Sequence, residues 1–176
     1  MRSTSDSTLV VMAGLPATGK STLAVRVAAE LGGVVLDKDQ IRARLFPAEL
    51  IEFSRRQDDF CMEVLFQTAG YMIRESGVQW VFVDGRPFVR RAQLERVQRA
   101  AEEIGCRLKV ILCQCSDETA RQRLQEAHVA ANRNWELYQR LKEEFEPIEM
   151  PHAVIDTEKP IEHSVAEALA FLRLQA

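Results

Sequence analysis

With 176 residues the chain is long enough for one domain with a full core and too short for two ordinary ones. Hydrophobic residues make up 47% and charged residues 28%, with only 8 Gly and 6 Pro, which excludes a disordered or fibrous chain. A net charge of −3 gives no bulk attraction to a nucleic-acid backbone or an anionic membrane. Long polyanions are therefore poor partners, although a local basic cleft for a nucleotide end is compatible with an acidic whole.

Residues 1–8 are polar and rich in Ser and Thr, lack the apolar stretch of a signal peptide, and read as a flexible tail before a single domain over 9–176. No apolar run approaches the ~20 residues needed to span a bilayer. Cys61, Cys106, Cys113 and Cys115 sit in apolar contexts without a Cys-x-x-Cys pair, so a reducing cytoplasm is expected. Cys113 and Cys115 alternate, as strand residues sharing one face do, and are not expected to bind metal.

Leu9 to Ala13 is a short apolar run that stops at Gly14, and helical spacing resumes from Lys20 through Leu23, Val27 and Leu31. This predicts strand, loop, helix. Gly32-Gly33 ends the helix, Val34 to Leu36 is a second strand, and Asp37-Lys38-Asp39 opens a helix broken by Pro47. From Glu49 to Glu75 the apolar spacing predicts one long helix or two joined ones, closed by Gly77. Trp80 to Val83 is a third strand ending at Asp84-Gly85, and a helix is expected from Pro87 to Ile104, with Pro87 in its first turn. Leu108 to Cys115 is a fourth strand and Asp117 to Ala127 a helix capped by Ser116 or Asp117. A further helix ends near Phe145, Ala153 to Ile155 is a fifth strand, and a last helix follows Pro160. Short, nearly all-apolar strands alternating with helices predict a three-layer α/β/α sandwich around a five-stranded parallel sheet. Ligands in such folds collect at the carboxyl ends of the strands, where Gly14, Asp37 and Asp84 begin the loops.

Gly14-Leu15-Pro16-Ala17-Thr18-Gly19-Lys20-Ser21 satisfies Gly-x-x-x-x-Gly-Lys-Ser/Thr and lies between a predicted strand and a predicted helix, the context this phosphate-binding loop requires. Its backbone N–H groups point into one concavity and the helix N-terminus adds partial positive charge. Gly14, Pro16, Ala17, Thr18, Gly19, Lys20, Ser21 and Thr22 are thus candidate nucleotide contacts. Lys20 supplies a mobile charge for the β- and γ-phosphates, and the Ser21 hydroxyl is a magnesium ligand. Asp84, at a strand end, is a candidate metal-side carboxylate. Asp37, Asp39 and Arg42 follow the second strand and suggest an acceptor pocket, a carboxylate taking the proton of an attacking hydroxyl while Arg42 holds the acceptor. The bland alternative is a helix cap with a solvated arginine. Arg86, Arg90 and Arg91 can hold an anionic acceptor or simply face solvent. Trp80 and Trp135 are expected to pack in the core or lid.

On these motifs the chain resembles, over nearly its whole length, the small P-loop kinases related to polynucleotide kinase, gluconate kinase and zeta-toxin-type enzymes. The stretches concerned are Gly14 to Thr22, Asp37-x-Asp39-x-x-Arg42, Val83-Asp84-Gly85-Arg86, the helix with Arg121 and Arg123, and Ile155-Asp156-Thr157. The resemblance implies ATP and Mg2+ as cofactors, a sheet in 2-3-1-4-5 order, and a helical lid over roughly 121–135. It implies Asp39 as the acceptor-activating base, Asp84 as the metal-side acid, and lid arginines as charge stabilisers. Arg123-Leu124 is followed by Gln125-Glu126-Ala127-His128, where the family pattern has a second arginine, so Arg121, Arg123 and Arg133 all stand as candidates and Arg123 is the one assigned a catalytic part. The acidic pair after the second strand favours phosphoryl transfer to a hydroxyl of a small-molecule or nucleotide-type acceptor, such as a sugar acid, nucleoside, antibiotic or nucleic-acid end, over a partner-dependent ATPase.

Overall fold

The computed structural model describes residues 6–126 and 134–174. Its sheet comprises β1 (Thr8–Ala13), β2 (Val34–Asp37), β3 (Trp80–Asp84), β4 (Arg107–Gln114) and β5 (His152–Asp156), all parallel, in the order β2-β3-β1-β4-β5. The helices are α1 (Lys20–Leu31), α2 (Lys38–Leu45), α3 (Arg55–Ser76), α4 (Arg91–Ile104), α5 (Asp117–Glu126), α6 (Trp135–Glu143) and α7 (Ile161–Arg173).

β1 is buried on both faces, so its successive side chains feed two cores. Leu9, Val11 and Ala13 pack with Leu65, Ala69 and Val97 of α3 and α4, whereas Val10 and Met12 pack with Leu23, Val27 and Ala168 of α1 and α7. This is the expected three-layer sandwich and strand order. The chain enters the sheet earlier than expected, because Thr8 is the first residue of β1 and both Ser7 and Thr8 are buried.

Two boundaries differ from the sequence reading for identifiable reasons. The long helix begins only at Arg55, capped by the Ser54 hydroxyl, which accepts from Gln57 N at 3.2 Å; a single 3-10 turn over Ala48–Leu50 precedes it. Pro47 and the left-handed Phe53 (φ 49°) separate the two pieces. Likewise Pro87 lies outside α4, which starts at Arg91: the left-handed Phe88 (φ 55°) breaks the chain, and the Gln93 side chain accepts from Arg90 N at 3.2 Å to open the helix. Residues 85–90 therefore form a loop at the carboxyl edge of the sheet, and the Pro87 carbonyl accepts a 2.9 Å bond from Gly14 N.

β1 and β3 are neighbours, and the helices that follow them, α1 and α4, pack on opposite faces of the sheet, so the connections leaving their carboxyl ends diverge and open a crevice. No helix among the described residues is long and apolar enough to cross a membrane.

Candidate active site

The Gly14–Ser21 loop wraps over the carboxyl end of β1 and runs directly into α1. Gly14 (φ +133°) is a position only glycine fills comfortably, since a Cβ there would collide with the Cys113 carbonyl oxygen and lie 2.8 Å from Thr18 Oγ1. Thr18 Oγ1 donates to Leu15 O at 2.8 Å and Lys20 Nζ to the same carbonyl at 2.6 Å, folding the loop back on itself. Lys20 is buried, whereas Ser21 and Thr22 are exposed at the start of α1. Thr157, beyond β5, braces the loop from behind. Its hydroxyl lies 3.0 Å from Thr18 O and 3.2 Å from Gln114 O, and a Cβ at Gly19 would come within 3.2 Å of it.

One cavity of about 820 Å³ extends from this loop. Pro16, Ala17, Gly19, Lys20, Ser21 and Thr22 line its phosphate-loop end, together with Arg123, Thr157 and Lys159. Asp84 lines it as well. Asp84 is 1% exposed, and its Oδ1 has no hydrogen-bond partner among the described residues. An orphaned buried carboxylate oxygen is costly, and a cation would satisfy it. No group of three or more His, Cys, Asp or Glu among the described residues could hold a metal ion by itself. That fits magnesium in its usual phosphate-bound form, which needs only one or two protein ligands besides the substrate's phosphates and water. Ser21 and Asp84 both line the cavity.

The other end is built of charged side chains. Arg42, expected either to hold an acceptor or to face solvent, is 2% exposed. Its Nη1 donates to Asp39 Oδ1 at 2.7 Å, its Nη2 bonds Asp58 Oδ1, and its guanidinium stands 5.0 Å from the centre of the Phe53 ring. Lys38 Nζ joins the same two carboxylates, 2.7 Å from Asp58 Oδ1 and 3.1 Å from Asp39 Oδ1. Burial pulls the Lys38 ammonium down to about 8 despite these partners, and the Arg42 and Arg86 charges push in the same direction. Arg86 is also buried, with Nη1 2.7 Å from Asp59 Oδ1. Lys38, Arg42, Asp58 and Arg86 line the cavity.

Asp37 does the capping work that the sequence left open: its Oδ1 accepts from Asp39 N at 2.7 Å and Gln40 N at 3.2 Å at the start of α2. Burial raises its pKa; the two N–H bonds oppose that shift and the neighbouring Asp84, its register partner across β2 and β3, adds to it. Asp37 and Asp39 stand beside the cavity wall, while Lys38 and Arg42, one helical turn apart on α2, form it.

The arginines flagged in the sequence separate. Arg123 lines the cavity and is clamped to the phosphate loop, Nη1 donating to Ala17 O at 3.2 Å and Nη2 to Thr157 O at 2.8 Å. Arg121 instead lies over the Trp135 ring at 4.5 Å, and that ring stacks on Tyr138. Arg133 and part of the expected lid, residues 127–133, lie outside the described residues. Arg90 lines the cavity and pairs with Glu144, whereas Arg91 is exposed, pairs with Glu149 and takes no part in the lining. Trp80 packs against the α1/α7 core. Cys113 is buried in that core too, its thiol pushed up to about 12 by burial, while Cys115 lies beyond the end of β4, so the expected shared strand face is not formed.

Sequence reasoning missed Lys38, Asp58, Arg55 and Arg140. Lys38 had a detectable signal, its four-residue spacing to Arg42; Asp58 and Arg140 belong to other helices and had none.

Comparison with known proteins agrees with this architecture. A gluconokinase from Sinorhizobium meliloti matches with a TM-score of 0.70 at 18% identity, over 95% of this chain and 91% of that one. An APS kinase from Mycobacterium tuberculosis, solved with AMPPNP and APS, matches with a TM-score of 0.72 at 15% identity, over 97% and 99%. A sugar kinase from a Janibacter species matches with a TM-score of 0.69 at 18% identity, over 94% of both chains. These likenesses establish the fold. A search of the curated proteins finds no match. The AAA domain family model matches residues 9–159, spanning the phosphate loop, the acidic stretch and Thr157, and the chain belongs to that family.

Proposed function

We propose that the protein is a kinase that moves the γ-phosphoryl group of Mg-ATP to a hydroxyl of a small acceptor. The observation that carries this reading is one continuous cavity of about 820 Å³ joining the phosphate loop to the Lys38, Arg42 and Asp58 cluster. A protein that only hydrolyses or senses a nucleotide has no need of a second, charge-lined chamber beyond the γ-phosphate. The fold neighbours named as kinases support the same reading.

In this mechanism the loop N–H groups and Lys20 hold the phosphates, and Ser21 and Asp84 are the protein groups that would hold magnesium. When bound there, the metal would supply charge neutralisation to the transferring phosphoryl group. The acceptor oxygen attacks phosphorus in line as Asp39 takes its proton, and the bridging electron pair leaves with ADP. Asp58 keeps Lys38 and Arg42 in place beside it. Arg123 is the lid arginine of this reading because it lines the cavity, whereas Arg121 is spent on Trp135.

The test is a mass-spectrometric screen for gains of one phosphoryl group across pooled metabolites, nucleosides and oligonucleotide ends. Lys20→Ala should abolish every product, and Asp39→Asn should keep nucleotide affinity while losing transfer. Free phosphate as the sole Lys20-dependent product would replace the kinase reading with an ATPase. Retained transfer in Asp39→Asn alongside loss in Asp58→Asn would move the base to Asp58.

A further inference from the structure

The chemistry of the acceptor is legible in the balance of charge along the cavity, and this inference rests on the phosphotransfer reading above. Among the described residues nine cationic side chains and three carboxylates line the cavity. The whole chain, by contrast, carries a formal net charge of −3. A cleft with one dominant sign and low-dielectric walls concentrates ligands of the opposite sign. Lys20, Arg123 and Lys159 stand at the phosphate end, where a nucleotide accounts for them. Of the other six cations, four are matched by the protein itself. Lys38 and Arg42 share Asp39 and Asp58, Arg86 has Asp59, and Arg90 has Glu144.

Arg55 and Arg140 are the remaining two. Arg55 is the first residue of α3 and Arg140 lies in the last turn of α6; both line the cavity, and neither pairs with a carboxylate among the described residues. The surplus extends inward, since Arg42 Nε and Arg86 Nε are buried donors without an acceptor. The depressed Lys38 ammonium, about 8 chiefly through burial and further through Arg42 and Arg86, is consistent with the same excess. Phe53, Leu137 and Leu141 add apolar wall to the cavity, suited to a short carbon skeleton.

We propose that Arg55 and Arg140 grip an anionic group, a carboxylate or a phosphate, on the hydroxylated small molecule that receives the phosphoryl group. Guanidinium forks match either anion through paired, charge-assisted N–H···O bonds. Binding such a group would compensate the cations that the protein leaves unmatched, and would fix the acceptor by its charged end while its hydroxyl turns toward the γ-phosphate.

The direct probe is sulfate, titrated calorimetrically into protein already loaded with magnesium and AMPPNP so that the phosphate loop is occupied. Saturable binding is expected, weakened about tenfold by Arg55→Gln and by Arg140→Gln, as loss of a charge-assisted bond implies. Arg91→Gln, outside the cavity, should leave it unchanged. In the product screen the phosphorylated molecule should be an anion before transfer, a hydroxy acid or a phosphate ester according to which group is gripped, with KM raised in both variants and nucleotide affinity retained. No sulfate binding to the loaded protein, or binding indifferent to both substitutions, overturns the proposal. So does a neutral acceptor, which would leave the kinase reading standing; a screen yielding only free phosphate would instead remove the kinase reading itself.

Discussion

At the phosphate-loop end the cavity rests on eight consecutive residues, Gly14 to Ser21, and largely on their backbone, whereas its charged end is built from side chains of α2, α3, α6 and the 85–90 loop, between positions 38 and 141. The first end depends on dihedral angles, so a single added atom can disrupt it. The second depends on charge balance, so removing one partner harms it by stranding another. The two ends should therefore fail differently when altered.

The largest loss is expected at Gly14. Gly14→Ala puts a Cβ against the Cys113 carbonyl at a backbone angle that L residues avoid, and should cost upwards of about 3 kcal/mol, read as a lowered urea midpoint. A small shift there would mean the loop is held by side chains after all. Asp58→Asn tests the other end. It leaves the buried Lys38 and Arg42 with Asp39 as their remaining carboxylate, and because Asp58 is itself about a quarter exposed the loss should be nearer 2 kcal/mol.

A smaller effect is expected in the pH dependence of stability. Lys38 has a folded-state pKa near 8 against 10.5 in an unfolded chain, with Asp39, Arg42, Asp58 and Arg86 as its charged neighbours. Between those values the unfolded state binds more protons, so stability from this group rises with pH across the window and is at its lowest below about 8. Lys38→Met should flatten that rise in unfolding curves collected from pH 7 to 10.5; an unchanged slope would refute the assignment. The smallest effect belongs to Arg91→Gln. Its exposed pair with Glu149 should contribute no more than about 0.5 kcal/mol, and transfer should be unaffected.

The same contrast explains how much of the molecule was readable beforehand. The strand pattern and Gly-x-x-x-x-Gly-Lys-Ser are local, and so the sheet, its crevice and the phosphate end followed from them. Asp84 was found because strand ends in this fold point at the crevice. Arg42 was found as a residue but not as a buried one, since its second partner Asp58 is sixteen positions away on another helix. Asp37 was assigned to the acceptor, yet its geometry is that of a helix cap, which the same residue type at the same place equally predicts. The start of α4 was misplaced because Pro87 is compatible with a first helical turn, and only the left-handed Phe88 reveals that the helix waits until Arg91. Arg140 carried no signal at all, since nothing in α6 says which of its faces meets a cavity.

The brace at Thr157 bears on how the protein is made. β1 and the phosphate loop leave the ribosome before both neighbours of β1, β3 from Trp80 and β4 from Arg107, and the residue whose hydroxyl holds Thr18 comes later still. A nascent chain halted before Thr157 would carry every residue of the phosphate loop and yet lack its support, so nucleotide capture should begin only after Thr157 has emerged.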